Sequence, residues 1–170
     1  IRHIAKSIPI DHLLYVKDHI GSELRGWNEI DYYNEIMEIP NVKLINPHFD
    51  NNILLKNCKL LVTVRGTTAF KAVKYGKPSI IFGQQPFEII PSVFRINSLL
   101  EIPEIITNAL DCIVDSSYYK KYENLIIDKG FKFNMFDYEN IRNATFFAGN
   151  INSNVAINEK EMITFLKNNE

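Results

Sequence analysis

Several features that mark large classes of proteins are scarce or missing in this chain of 170 residues. Its two cysteines, Cys58 and Cys112, lack the close CxxC spacing of a zinc or redox site, which predicts buried free thiols in a reducing compartment. No apolar run approaches the roughly 18 residues of a membrane span. The net charge of −1 argues against nucleic acid as the main partner, because no general field would hold a polyanion.

Recognised catalytic motifs are missing as well. The sequence contains no HExxH pair, Walker lysine loop, GxSxG elbow or GxGxxG fingerprint, which excludes zincins, P-loop NTPases, α/β-hydrolases and ordinary NAD enzymes. No Asp-x-Asp pair offers a Mg²⁺ diphosphate site, so we expect neither a metal nor a cofactor. The chain begins at Ile1 without a signal-peptide pattern, and we expect it to be a piece of a longer protein.

The chain does contain a regular alternation of strand patterns with helix patterns. Short apolar runs predict strands at residues 13–16, 42–45, 60–64, 79–82 and 93–96. The helix signals between them are Asn28 with Asp31 as a capping box, Asp50 as an N-cap, Gly76 before Lys77-Pro78 as a stop, and Pro103 in a first turn. This alternation predicts an α/β fold, a Rossmann-like, mostly parallel sheet with helices on both faces.

The same pattern suggests how the chain is organised. Residues 1–114 contain the alternation and are predicted to form the Rossmann-like domain. Residues 115–170 are richer in asparagine and aromatic side chains. We expect this second part to be a helical and irregular extension packed on the same domain, with a final helix at about residues 159–167.

Ligands of an open parallel sheet bind outside the carboxyl ends of its strands. There, Gly66-Thr67-Thr68 directly follows a predicted strand and opens a helix, so its backbone N–H groups and hydroxyls can face a phosphate, and Arg65 can add charge. An equally open alternative is that Thr67 is only an N-cap and Gly66 only a tight turn.

Lys17 and His19 are candidates for the same phosphate. They lie two residues apart at the end of the first predicted strand, which puts their side chains on one side if the strand continues that far. The alternative is that His19 is an ordinary surface or hydrogen-bonded histidine. His48 lies on another loop of the ligand side.

Taken together, several segments resemble a known family. The segments are Tyr15-Val16-Lys17-Asp18-His19, residues 41–45, Leu61 to Val73 with the Gly66-Thr67-Thr68 helix start, and Tyr75-Gly76-Lys77-Pro78-Ser79-Ile80-Ile81-Phe82-Gly83. This pattern resembles the C-terminal half of bacterial capsule polysaccharide biosynthesis proteins, glycosyltransferases of the GT-B type. The resemblance covers about residues 12–112 and implies one half of a GT-B fold, the half that binds the nucleotide sugar.

The resemblance also implies roles for individual residues. Lys17, His19, Gly66, Thr67 and Thr68 would bind the donor phosphate, Pro47 and His48 would lie near the base, and Gly83 and Gln84 near the sugar. A CMP-sugar such as CMP-Kdo is weakly favoured. The family's ribose-binding glutamate is Lys71 here, and the proline after its histidine is Ile20. Either the donor is held differently, or Lys71 pairs with a phosphate, or this copy has lost activity.

The resemblance further implies a cytoplasmic transferase whose catalytic base and acceptor site lie in a missing N-terminal domain. Its acceptor would be a polysaccharide or glycolipid, and we expect peripheral association with a membrane export complex at the inner face of the plasma membrane. No catalytic residue is assigned, and this chain alone should not turn over. The alternatives are a non-catalytic nucleotide-sugar-binding or scaffold module and, less favoured, a sugar-nucleotide epimerase-like protein.

Overall fold

The computed structural model describes residues 1–19, 21–22 and 26–129. The helices are α1 (Arg2–Ser7), α2 (Ile30–Met37), α3 (Asn51–Asn57), α4 (Thr68–Lys74), α5 (Ile102–Leu110) and α6 (Ser117–Lys129). The strands are β1 (Leu14–Lys17), β2 (Val42–Ile45), β3 (Leu61–Thr63), β4 (Ser79–Ile81) and β5 (Val93–Arg95). Two short 3₁₀ helices, Pro86–Ile89 and Leu99–Glu101, flank β5. The chain divides into two compact units, Ile1–Tyr119 and Lys120–Glu170.

All strand pairs in the described residues are parallel. β1 pairs with β2, and β3, β4 and β5 pair in that order. At the start of β1, Nε2 of His12 lies 3.2 Å from Nζ of Lys59, which precedes β3. This contact brings the segments before β1 and β3 near each other, while the described strands form two sheets, β1-β2 and β3-β4-β5.

Helices cover both faces of the strands. On one face, Ile80 of β4 is buried with α5 residues such as Ile102 and Ile106. On the other face, Ser79 lies next in sequence to Ile80 and donates its hydroxyl hydrogen to the carbonyl oxygen of Ala69 in α4, 3.2 Å away. Neighbouring strand residues point to opposite faces, so α5 and α4 lie on opposite sides. The α/β prediction, with parallel strands and flanking helices, is confirmed.

Helix α1 joins the two groups of strands. Its Ala5 is buried with Ile36 of α2 and Val42 of β2. Its Ile4, and Ile8 directly after the helix, pack against the cluster that contains Ile80. The small α1 therefore holds β1 and β2 next to β3, β4 and β5 in the first compact unit.

The predicted strands agree with the structure to within one residue at each end. The predicted stop after α4 is also correct: Gly76 has a φ of +67°, and the N–H groups of Gly76 and Lys77 donate to the carbonyls of Val73 and Ala72, both at 3.0 Å. This is the hydrogen-bond pattern of a Schellman motif. Asp50 caps α3 as predicted, accepting from the N–H of Asn52 at 2.7 Å.

Other local predictions were incomplete. The capping box at Asn28 is wrong, because α2 begins at Ile30 with Glu29 at the N-cap and no side-chain capping bond. Helices α1 and α6 were not predicted individually. The predicted final helix at residues 159–167 lies outside the described residues.

Candidate functional site

The loops that follow β1, β2, β3 and β4 form the carboxyl edge of the strands. Lys17, the last residue of β1, reaches across to the loop after β2, where its ammonium donates to the carbonyl oxygen of Phe49 at 2.7 Å and to the side-chain oxygen of Asn51. Two of its three N–H groups are thus used to tie β1 to the start of α3, and one remains.

His19 is exposed, and its ring contacts the local backbone. Its Nδ1 accepts a hydrogen bond from the N–H of Gly21 at 2.9 Å. Within the described ranges, no hydrogen bond joins Lys17 or His19 to the loop after β3. Both residues lie at the carboxyl edge, but their side chains are not drawn together with Thr67 and Thr68.

The segment Gly66-Thr67-Thr68 turns directly from β3 into α4. The N–H of Gly66 donates to Oγ1 of Thr63 at 3.3 Å, and a Cβ at Gly66 would lie only 2.8 Å from that oxygen. A side chain at position 66 would therefore have to displace the Thr63 hydroxyl from this turn. Thr67 occupies the N-cap position of α4, yet its hydroxyl makes no capping hydrogen bond. The Thr67 hydroxyl stays available to a ligand.

Arg65 and Gly83 lie against each other at the same edge. A Cβ built on Gly83 would lie 2.5 Å from Cγ and 2.8 Å from Cδ of Arg65, so the arginine stem crosses the glycine. Arg65 is exposed and makes no hydrogen bond or ion pair with any described residue. A ligand phosphate can therefore pair with the Arg65 guanidinium beside the loop that opens α4, because no described acidic group neutralises its charge.

The remaining predicted site residues are spread around this edge. The N–H of His48 donates to Oδ1 of Asn46 at 2.8 Å, which folds the loop after β2 back on itself. Lys71 is exposed on α4 and has no partner among the described residues, and Gln84 is exposed after β4. Pro47 lies in the wall of a cavity that sequence reasoning did not foresee.

This cavity, which we call the Asp18 pocket, has a volume of about 330 Å³. Its walls are the aromatic side chains of Trp27, Tyr32 and Tyr33, the polar side chains of Asp18 and Asn46, and apolar residues of β1, α2 and β2 together with Pro47. Cavities of about 300 to 1,000 Å³ with apolar walls and a few polar groups are typical of small-molecule sites. The only sequence signals were the single tryptophan and an acidic residue directly after a strand.

A hydrogen-bond network fixes Asp18 in the pocket. Oδ2 accepts from the hydroxyl of Tyr33 at 2.6 Å and from Nδ2 of Asn28 at 3.4 Å. The bond to the Asp18 carboxylate raises the pKa of the Tyr33 phenol above its usual value, because the protonated phenol is the donor. The Asn28 side chain thus donates to the Asp18 carboxylate after β1, and this contact explains why Asn28 does not cap α2.

Comparison with known proteins identifies the family. The family model described as capsule polysaccharide biosynthesis protein matches residues 2–91, just over half of the chain. The chain belongs to this capsule polysaccharide biosynthesis family. No curated protein and no solved structure matched the chain.

Membership in the capsule polysaccharide biosynthesis family gives the chain a role in capsule synthesis, as the resemblance predicted. The matched residues run from α1 to the 3₁₀ helix before β5, so they include every candidate residue at the carboxyl edge and the whole Asp18 pocket.

Three further observations concern the described part of this capsule-family chain. No three potential ligands among its histidines, cysteines and acidic residues lie close enough to hold a metal ion. None of its helices is long and apolar enough to cross a membrane. Cys58 and Cys112 are free thiols, as predicted, but each is only partly buried. Burial raises the pKa of the Cys58 thiol.

Proposed function

We propose that this chain is the donor-binding part of a GT-B glycosyltransferase of capsule synthesis, and that it holds a nucleotide-activated sugar along the carboxyl edge. The observation that carries the proposal is the exposed Arg65 guanidinium, which has no partner among the described residues and lies beside the turn from β3 into α4. In open parallel sheets, ligands bind outside the carboxyl ends of the strands, where this turn lies.

The donor phosphate would lie between the loop after β1 and the loop after β3. Arg65 would supply a full positive charge and Thr67 a free hydroxyl donor. Helix α4 has only seven residues, so the proposal does not depend on its dipole. Lys17 contributes its remaining N–H and keeps the loop after β2 in place through Phe49 and Asn51. His19 would approach the same phosphate from the end of β1.

The chemistry of this part is charge stabilisation. When the sugar leaves the nucleotide, negative charge develops on the phosphate oxygens. Fixed cations and hydroxyls aimed at those oxygens lower the barrier, because they need no reorganisation during the reaction. The acceptor and its general base would come from a partner domain, and Gly83 and Gln84 would lie on the sugar side.

A second candidate function is a non-catalytic module that binds a nucleotide sugar or serves as a scaffold. Lys71, exposed and without a partner among the described residues, favours it, because an ammonium group cannot accept hydrogen bonds from ribose hydroxyls, as the glutamate implied by the resemblance would. Donor binding without any transfer by the complete protein would support this module.

Isothermal titration calorimetry with CMP, UDP and GDP at millimolar concentrations tests donor binding. We expect one nucleotide to bind and Arg65→Met to weaken it by about 10- to 100-fold, since hydrogen bonds to charged groups contribute about 1.5 to 3 kcal/mol. Lys56→Met is the matched control, because Lys56 is in the last turn of α3, away from the carboxyl edge. No heat with any nucleotide on folded protein would contradict donor binding.

A further inference from the structure

Aromatic rings and one carboxylate surround the Asp18 pocket. Trp27, Tyr32 and Tyr33 lie in its walls, and Asp18 is the only charged residue that lines it in the described part of the chain. Lys17, which precedes Asp18 in sequence, directs its ammonium to the loop after β2 instead. The pocket therefore combines a negative charge with apolar surfaces, and no described basic side chain in its walls neutralises that charge.

We propose that the Asp18 pocket binds an organic cation, specifically a quaternary ammonium group such as that of choline. This inference goes beyond the proposed donor-binding function and does not depend on it. The face of an aromatic ring is negative, so it attracts a cation, and tryptophan does so most strongly. The Asp18 carboxylate adds a full opposite charge, and water screens this attraction less in a partly enclosed pocket than on an open surface.

The hydrogen-bonding capacity of the pocket favours a quaternary ammonium over a primary one. Oδ2 of Asp18 accepts from Tyr33 and Asn28, whereas Oδ1 has no partner within the described residues. A primary ammonium brings three N–H donors that each need an acceptor, but the described walls are mainly aromatic and aliphatic. A quaternary ammonium has no N–H group, so its burial among these side chains leaves no donor unsatisfied.

Solvent reaches the rings that would contact the cation. Trp27 is 49% exposed and Tyr32 is 41% exposed. The rings of Tyr32 and Tyr33 meet edge to face, with centroids 5.2 Å apart, so their faces point in different directions. The hydrogen bond from the Tyr33 hydroxyl to Asp18 holds this ring next to the carboxylate. A small organic cation can therefore enter the cavity of about 330 Å³ and meet rings and carboxylate together.

The test compares choline with dimethylbutanol, a neutral isostere in which carbon replaces the charged nitrogen. Trp27 is the only tryptophan, so its fluorescence reports binding to the full chain at constant ionic strength. Choline should bind at least about tenfold more tightly than dimethylbutanol. Ethanolamine, a primary ammonium with the same hydroxyl group, should bind several-fold more weakly than choline. Equal affinity for choline and dimethylbutanol would overturn cation recognition, and ethanolamine that binds as tightly as choline would overturn the preference for a quaternary group.

Two variants separate the charge from the rings. Asp18→Asn keeps an oxygen for the Tyr33 hydroxyl and removes the negative charge, so choline should bind about three- to tenfold more weakly. Asp31→Asn, an equivalent charge change in the first turn of α2, should leave choline affinity unchanged. Trp27→Leu should weaken choline by about tenfold, measured by calorimetry because the fluorophore is lost. Wild-type choline affinity in Asp18→Asn or in Trp27→Leu would overturn the proposal that carboxylate and rings bind the cation together.

A choline group can reach the pocket on a small solute or on a membrane lipid. Cosedimentation with phosphatidylcholine vesicles that free choline reverses would support a lipid headgroup as the ligand. Binding of free choline without cosedimentation would support a small solute. Binding of neither would overturn the proposal.

Discussion

Replacing Gly83 with alanine tests whether the position of Arg65 matters for binding. The new Cβ would lie 2.5 Å from Cγ of Arg65, whereas carbon atoms in contact are about 3.5 to 4.0 Å apart. The arginine stem must therefore move by about 1 Å or more. The φ of Gly83 is not positive, so alanine fits the backbone and the conflict is with this side chain alone.

The expected result is a loss of binding at nearly constant stability. Arg65 is exposed and bonded to no described residue, so it can turn into solvent at little cost in the free energy of unfolding. Its guanidinium then leaves the phosphate site. We expect Gly83→Ala to weaken nucleotide binding about as much as Arg65→Met, by about 10- to 100-fold, which corresponds to about 1.5 to 3 kcal/mol.

Gly76→Ala is the matched control with the opposite outcome. Gly76 has a φ of +67° and open space around it, so alanine there strains the backbone without touching a neighbour. That strain costs about 1 to 2 kcal/mol, or a Tm lower by about 2 to 8 °C. Calorimetry and thermal unfolding of both variants provide the comparison. Wild-type affinity in Gly83→Ala, together with weak binding in Arg65→Met, would refute the argument that the Arg65 stem must lie across Gly83.

Two further predictions concern the elements that support the site. Asp50→Ala removes the acceptor for the N–H of Asn52 and should cost about 1 kcal/mol, or about 2 to 4 °C in Tm, whereas Asp31→Ala, which caps nothing, should cost less. The second prediction uses the raised pKa of Tyr33. The contribution of the Tyr33 hydrogen bond to Asp18 should stay constant below the pKa of about 10 of an unfolded tyrosine, and decline at higher pH because the unfolded phenol loses its proton first. Urea unfolding of wild type and Tyr33→Phe between about pH 8 and 11 checks this, because phenylalanine removes both the hydrogen bond and the titrating phenol. A stability difference that grows with pH would contradict it.

Much of the fold could be read from local patterns. Short apolar runs predicted the strands, and Gly76 and Asp50 predicted helix ends, because a Schellman turn and an N-cap depend on a few neighbouring residues. Asn28 shows the limit of this reasoning. It carries a good N-cap side chain, but its amide donates to Asp18, ten residues earlier, and the helix begins without it.

The candidate site was predictable only in part. The loops at the carboxyl edge followed from the alternation of strands and helices, since parallel strands end on one side. The contacts made there did not follow. Lys17 bonds to Phe49 and Asn51, which lie more than thirty positions later in sequence, and it makes no described contact with Thr67.

The sequence by itself determined the α/β class, the strand positions and the family, because apolar periodicity, turn residues and helix stops act over a few neighbouring positions. Only the tertiary structure decided the strand order, the crossing of Arg65 over Gly83 and the Asp18 pocket. These features join residues that are distant in the chain. Their geometry depends on how α1 and the strands pack, and no local pattern encodes that packing.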